Sequence, residues 1–263
     1  MHANNFNLPD YFQRIGYTGE ARADLATVTA LMGHQLKAVP FENLDVQAGK
    51  PISLVPEDIV AKIVHRRRGG YCYEVNGLFA MALTALGIPF RFVGCRPMTY
   101  PARRPRTHMA LLAQLDGEEW LCDVGFGSYG MRAPMRLHDA NEIHQDHDTF
   151  QLSPVEGGEY VLKAWVEEAW ANQYGFDLGH QEWVDFMPAN WLNSTHPETL
   201  FVKHLIVMRQ TPEGRAILMD DRLKTVERGE TRVRHVPAEE QADVLRHVFG
   251  LDSSLDFGLK PAD

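Results

Sequence analysis

The apolar residues of this chain keep one period up to about residue 88 and another after it. Leu25, Val28, Met32 and Leu36, then Ile59, Ile63 and Val64, then Leu78, Phe79, Ala82 and Leu86 recur at helical spacing. Gly87 stands just past the last run, where a helix commonly stops. Beyond it the runs are short and of β type. The clearest is HMALLAQL, Asp116-Gly117, EEWLCDV, in which the Asp-Gly pair marks a two-residue hairpin turn. Strands continue through QLSPVEGGEYVLKAWV, turning at Gly157-Gly158, and then HLIVMRQT, AILMD and TRVRHV, set apart by PEGR and ERGE. A last helix is predicted over PAEEQADVLRHVF, ending at Gly250. Helices first and strands after them imply an α+β protein. The stretches from about 97 to 107 and 128 to 148 are long enough to be functional loops or lids.

With 263 residues, 44% of them hydrophobic, the chain can bury one or two cores. Its net charge of −9 repels phosphate backbones and anionic lipid, which argues against a nucleic-acid or membrane-surface partner. The start, MHANNFNLPDYF, lacks a cationic stretch followed by an apolar one, and no run approaches the roughly 18 uninterrupted apolar residues of a spanning helix. A cytoplasmic protein is expected. Oligomeric state leaves no readable trace.

Cys72, Cys95 and Cys122 are odd in number and form no CxxC pair, so neither a disulfide framework nor a structural zinc site fits them. Each is therefore read singly. Gly69 and Gly70 break the preceding helix, and Cys72 stands in the first turn of the helix that buries Leu78, Phe79 and Ala82. A helix start favours the thiolate, the form that attacks, and Arg66, Arg67 and Arg68 add positive potential nearby. The alternative for Cys72 is a small buried residue that packs the helix end.

In a symmetric turn at Asp116-Gly117, Leu115 faces Glu118, Ala110 faces Asp123 and His108 faces Gly125. Alternation then puts His108, Ala110, Leu112, Leu121 and Asp123 on one face, and Met109, Leu111, Ala113, Trp120, Cys122 and Val124 on the other, the core face. His108 and Asp123 become diagonal neighbours, roughly 7–8 Å apart at Cα and within reach of a hydrogen bond. A carboxylate there orients the imidazole of a nucleophile-base-acid triad. Cys122 points away from His108. Spacing alone does not bring Cys72 to the pair.

RGGYCYEVNGLF around Cys72, Thr107-His108, CDVGFG around Asp123, PFENLD at 40 to 45, WANQYGF from Trp170 and NSTHPETLF from Asn193 together resemble the arylamine N-acetyltransferase family, over roughly residues 6 to 250. The resemblance implies an N-terminal helical bundle (1–88) carrying the nucleophile, a central β-barrel (89–190) carrying base and acid, and a C-terminal α/β lid (191–263), with a Cys-His-Asp triad of the cysteine-protease kind. It implies that Cys72 is acetylated by acetyl-CoA, with His108 as base and Asp123 orienting it. The acetyl group would pass by ping-pong kinetics to the nitrogen of an arylamine or arylhydrazine, or to the oxygen of an arylhydroxylamine. The Cys72 N–H is the natural first oxyanion donor. Acetyl-CoA is then a co-substrate, and no bound cofactor or metal is implied. Phe126, Thr107 and Pro97 would line the acceptor pocket; Gly127 and Ser128 match a turn near the coenzyme. Pro97 departs from the Arg-Val pair usual in the family, although Arg96 keeps its first half.

Arg103, Arg104 and Arg106, in the basic loop PMTYPARRPRT, could meet the phosphates of coenzyme A, Arg104 among them; the plainer alternative is a solvated loop. HQDHD, with His144, Asp146, His147 and Asp148, is read as exposed rather than metal-binding. Glu42 and Asn43 are expected to brace the arginines or the Cys72 helix start, and Trp165, Trp170, Trp183 and Trp191 to pack core and lid. Other chemistries fit the same triad: an amide-forming transferase with another acyl donor, or a thiol hydrolase, according to how well water is excluded. A non-enzymatic binding module on the same fold is the remaining alternative.

Overall fold

The computed structural model of the chain describes residues 1–251; the last twelve residues of the expected lid lie outside the described residues. Helices α1 (Leu8–Ile15) and α2 (Leu25–Ala38) begin where Asn7 and Asp24 accept the N–H groups of Asp10 and Thr27. Helix α1 is additional to the runs expected from the sequence. A two-residue strand β1 (Phe41–Glu42) and a single turn α3 (Leu44–Gln47) follow, then α4 (Pro56–Val60), which runs into a π-helical turn, Ala61–His65. Helix α5 (Cys72–Ala85) is buried on every face from Cys72 to Leu83, and Gly87 ends it with φ +72°. An all-round apolar helix belongs inside a fold. The nucleophile candidate thus starts the most enclosed helix of the molecule.

The expected barrel is an antiparallel sheet of β2 (Phe90–Pro97), β3 (His108–Leu115), β4 (Glu118–Cys122), β5 (Met135–Arg136), β6 (Glu142–Gln145), β7 (Asp148–Val155), β8 (Glu159–Val166) and β9 (Ala169–Phe176). Strand order is β5-β4-β3-β2-β9-β8-β7-β6, which leaves β5 and β6 as edges. Gln145 of β6 bridges the gap: its amide accepts from the N–H groups of Arg132 and Ala133 and donates to the Ala133 carbonyl. The 128–148 stretch therefore contains two short strands as well as loop.

Helices α6 (Met187–Thr195) and α7 (Leu200–Lys203) lead to a second sheet of β10 (Ile206–Thr211), β11 (Gly214–Met219), β12 (Arg222–Glu227) and β13 (Glu230–His235), with α8 (Ala238–His247) after it. Strand β12 was not among the expected runs. Strand β1 completes this sheet, pairing Phe41 with Met208, while Phe41 also bridges Gly70. The Cys72 approach, the helical part and the C-terminal sheet are thereby tied through one residue. Among the tryptophans, Trp165 and Trp191 are 46% and 65% exposed, contrary to the packing role expected of them. Among the described residues, no helix is long and apolar enough to cross a membrane.

Candidate active site

Two glycines set the entry to α5. A Cβ on Gly69 would lie 2.0 Å from the Pro40 carbonyl oxygen, and one on Gly70 would lie 2.7 Å from Glu74 Oε2. Close approach, not a positive φ, demands glycine there. The Glu74 carboxylate accepts the Tyr71 N–H at 3.1 Å, satisfying a donor that the helix start leaves open. Lys62, buried in the π-helical turn, reaches Glu74 and Asp45 at 2.7 Å each, and Arg68 reaches Glu42 at 2.8 Å. Glu42 does brace the arginine run, through Arg68; Arg66 and Arg67 are exposed. Asn43 instead holds the C-terminal part, donating to the Phe201 and His204 carbonyls and accepting the Ile206 N–H.

The β3–β4 hairpin has the expected register, Leu115 opposite Glu118 and Leu111 opposite Cys122, with Asp116 and Gly117 at φ +53° and +79°. His108 Nε2 lies 2.7 Å from Asp123 Oδ2, and both residues are buried. One expectation changes: both faces of β3 from His108 to Ala113 are buried, so neither is a solvent face. The sequence reading also missed Asn76, which sits in the motif around Cys72. Its amide nitrogen donates to Asp123 Oδ1 at 3.0 Å and to the Met109 carbonyl at 2.8 Å, and its oxygen accepts the Val124 N–H at 2.9 Å. Its signal was the four-residue step from Cys72, one turn along the same helix face.

Cys72 and His108 line one cavity of about 300 Å³, together with Pro97, Thr107, Phe126, Ser128 and Arg104. The Phe126 ring stands 5.1 Å from the His108 ring and 5.0 Å from that of Tyr174. The Thr107 carbonyl accepts the Asn193 amide at 2.9 Å and has Cys72 Sγ 3.9 Å away. Gly127, at φ +75°, lies behind the cavity against Met208, and the Ser128 carbonyl accepts Arg215 Nη1 at 2.8 Å. Of the basic loop, Arg106 is paired with Asp177, Arg103 is exposed and Arg104 faces the cavity. His144 contacts Thr149 at 2.9 Å, and Asp148 accepts from Arg132 and Arg215, so HQDHD is tied into the fold by ordinary contacts.

Burial pushes the Cys72 thiol well above the ordinary cysteine range, and the Asp123 charge adds to this; the Met109 and Tyr73 N–H groups pull the other way. The helix start therefore does not activate the thiol unaided. Burial alone would raise the Asp123 carboxyl, but His108, Asn76 and the Gly125 N–H outweigh it and hold the group below the usual carboxylate value of 3.8. Asp123 is a buried, fully hydrogen-bonded anion next to an imidazole.

A family profile described as N-acetyltransferase matches residues 24–257. The arylamine N-acetyltransferase of Escherichia coli (strain K12) is 37% identical over 209 residues, 79% of this chain and 74% of that protein. That of Mycolicibacterium smegmatis is 35% identical over 256 residues, 94% of this chain and 92% of its own. Among solved structures, Mycobacterium marinum arylamine N-acetyltransferase in complex with CoA superposes with a TM-score of 0.90 at 32% identity, covering 96% of this chain and 95% of that one. The chain belongs to the arylamine N-acetyltransferase family and is an acyltransferase.

Proposed function

We propose that the chain moves an acetyl group from acetyl-CoA to the nitrogen of arylamines or arylhydrazines, or to the oxygen of arylhydroxylamines, through an acetyl-cysteine at Cys72. One observation carries the reading: Cys72 and a His108 bonded to Asp123 open onto the same largely apolar cavity. Because Nε2 of His108 is committed to Asp123, Nδ1 is the nitrogen that takes the thiol proton. A buried thiol has little thiolate of its own, so the imidazolium formed beside it is what makes the nucleophile available.

The Cys72 sulfur attacks the thioester carbonyl, a C–S bond to Cys72 forms, the C–S bond to coenzyme A breaks, and coenzyme A departs as the free thiol, taking from His108 the proton that Cys72 gave it. The Cys72 N–H at the start of α5 serves the developing oxyanion. An aromatic amine then attacks the acetyl-cysteine, its proton passes to His108, and the Cys72 sulfur leaves. Phe126, Thr107 and Pro97 shape the acceptor side, and the Gly127–Ser128 turn lies toward the coenzyme. Residues 1–88 supply the nucleophile, 89–190 the base and acid, and the described residues of the expected lid, 191–251, the cover. A nucleophile that must stay reduced suits the cytoplasm.

An intact mass spectrum after incubation with acetyl-CoA and no amine tests this. A single acetyl adduct, absent in Cys72→Ala and discharged by an arylamine, is the expected result. Coenzyme A released steadily without amine would make the protein a hydrolase, and no adduct with no release would overturn the donor.

A further inference from the structure

The turn that follows Phe126 is held from the far end of the chain. Gly127 and Ser128 both have left-handed backbone, φ +75° and +22°, which glycine adopts freely and serine does not. Within the turn, the Gly130 N–H reaches the Gly127 carbonyl at 2.8 Å. The Ser128 carbonyl accepts Nη1 of Arg215 at 2.8 Å, from β11 of the C-terminal sheet. That guanidinium is fixed on two further sides: Nη2 meets Asp148 at the start of β7, and its carbon lies 4.2 Å above the Tyr129 ring. The other oxygen of Asp148 accepts Nε of Arg132 at 2.8 Å, and Arg132 Nη2 donates at 3.0 Å to the carbonyl of Gly214, the residue before Arg215. Both arginines are buried. A buried ion network gains little over apolar side chains of the same volume, and fixing one geometry is its better-attested use. Here it fixes the Ser128–Tyr129 peptide plane.

Ser128 lines the cavity that holds Cys72 and His108; Arg215 does not. We infer that Arg215 is a positioning residue for the acyl donor: from the C-terminal sheet it sets the Gly127–Ser128 turn in the form that receives the coenzyme A portion of the thioester. This rests on the transferase reading above, in which that turn lies toward the coenzyme. The reacting groups are held by other means. Asn76 and Asp123 set His108, and Phe126 rests on the His108 and Tyr174 rings. Loss of Arg215 therefore disturbs the seat of the coenzyme and leaves the chemistry at Cys72 in place. A small acetyl ester without the coenzyme has no use for the turn and reports on the chemistry alone.

The test follows acetylation of Cys72 by intact mass, in a single turnover, from acetyl-CoA and from 4-nitrophenyl acetate. In Arg215→Met, which keeps much of the volume, acetylation from acetyl-CoA is expected to slow roughly 10- to 100-fold while that from the ester stays within about threefold. Equal slowing with both donors, or none with either, overturns the inference. Arg215→Lys keeps the charge but not the planar fork, so it should remain at least about threefold slow with acetyl-CoA alone. Wild-type rates in that variant would assign the effect to charge rather than geometry and overturn the inference as well; the lysine variant also decides the matter should the methionine variant not fold. Calorimetric titration with coenzyme A gives a readout free of turnover, expected to weaken at least about 10-fold in Arg215→Met. If the wild type takes no acetyl group from acetyl-CoA, the transferase reading fails alone, and the coenzyme A titration still decides Arg215: an affinity unchanged in the variant overturns its role.

Discussion

Asn76 and Asp123 meet side chain to side chain, amide nitrogen to carboxylate oxygen at 3.0 Å, in a site closed to solvent. The same amide holds the Met109 carbonyl and the Val124 N–H, so one residue of α5 pins both strands of the hairpin that carries His108 and Asp123. Since Asn76 is one helical turn from Cys72, Cys72 and the Asp123 carboxylate are positioned from a single helix face.

Asn76→Ala should strand the Met109 carbonyl and the Val124 N–H without water, at about 1–3 kcal/mol for each unpaired group. Urea unfolding would show a lower midpoint with an unchanged slope. Activity should fall roughly 10- to 100-fold, mostly in kcat, as it does when a group that orients a reactive residue is lost. Asp123 also loses one of the groups that hold its carboxyl low, so it protonates at higher pH, and the acid limb of kcat/KM moves upward. An acid limb that stays in place would show that Asn76 is structural only.

His108→Gln isolates the thiol. Burial and the Asp123 charge then act on Cys72 without an imidazole to receive the proton, so the thiolate should appear only above the ordinary cysteine value of 9.0. Alkylation by iodoacetamide at pH 7 is expected to slow at least about tenfold. A midpoint at or below 9.0 in the variant would return the activating role to the helix start.

The readable parts of the sequence were local. Asp116-Gly117 determines the register through its turn geometry, and that register carries His108 to Asp123. Gly69 and Gly70 place Cys72 at a helix start because backbone and carboxylate crowd both positions. What the sequence conceals depends on partners far along the chain. Arg106 meets Asp177, 71 residues on, and Arg215 reaches the Ser128 carbonyl from 87 residues away; no spacing announces either. Strand β12 escaped because of its six residues only Leu223 is buried, which leaves no alternation to read. Asn76 escaped because a polar residue in an apolar helix has no partner in sight until the hairpin folds against it.

Lys62→Met should leave the carboxylates of Glu74, Glu42 and Asp45 without the ammonium they share, at about 3–5 kcal/mol. Burial lowers the lysine, but Glu74, Glu42 and Asp45 outweigh it and hold the ammonium above its ordinary value of 10.5. A raised folded value adds stability that is complete below 10.5 and lost as pH climbs through the folded pKa. Denaturant midpoints measured from pH 8 to 12 should therefore show wild-type stability falling at the alkaline end toward that of the variant. Parallel curves would mean that Lys62 is not charged in the fold.

Gly125→Ala asks how tightly the two halves of the site are set against each other. The glycine has an ordinary φ, so the backbone itself accepts alanine, but the new Cβ would lie 2.8 Å from Cys72 Cα and 2.6 Å from Asn76 Nδ2. One obstacle is backbone and the other is a fully engaged amide, so the hairpin or α5 must shift. Overpacking of this kind costs about 1–3 kcal/mol. The shift falls between Cys72 and His108, and if they are the nucleophile and base proposed above, a displacement near 1 Å costs on the order of 100-fold in rate. Gly33→Ala is the matched control: it lies in α2 with nothing within 4 Å of the added methyl. There alanine should stabilise by about 0.5–1 kcal/mol through helix propensity and leave turnover unchanged. Equal loss of activity in the two variants would mean that the hairpin's approach to α5 has no special bearing on catalysis.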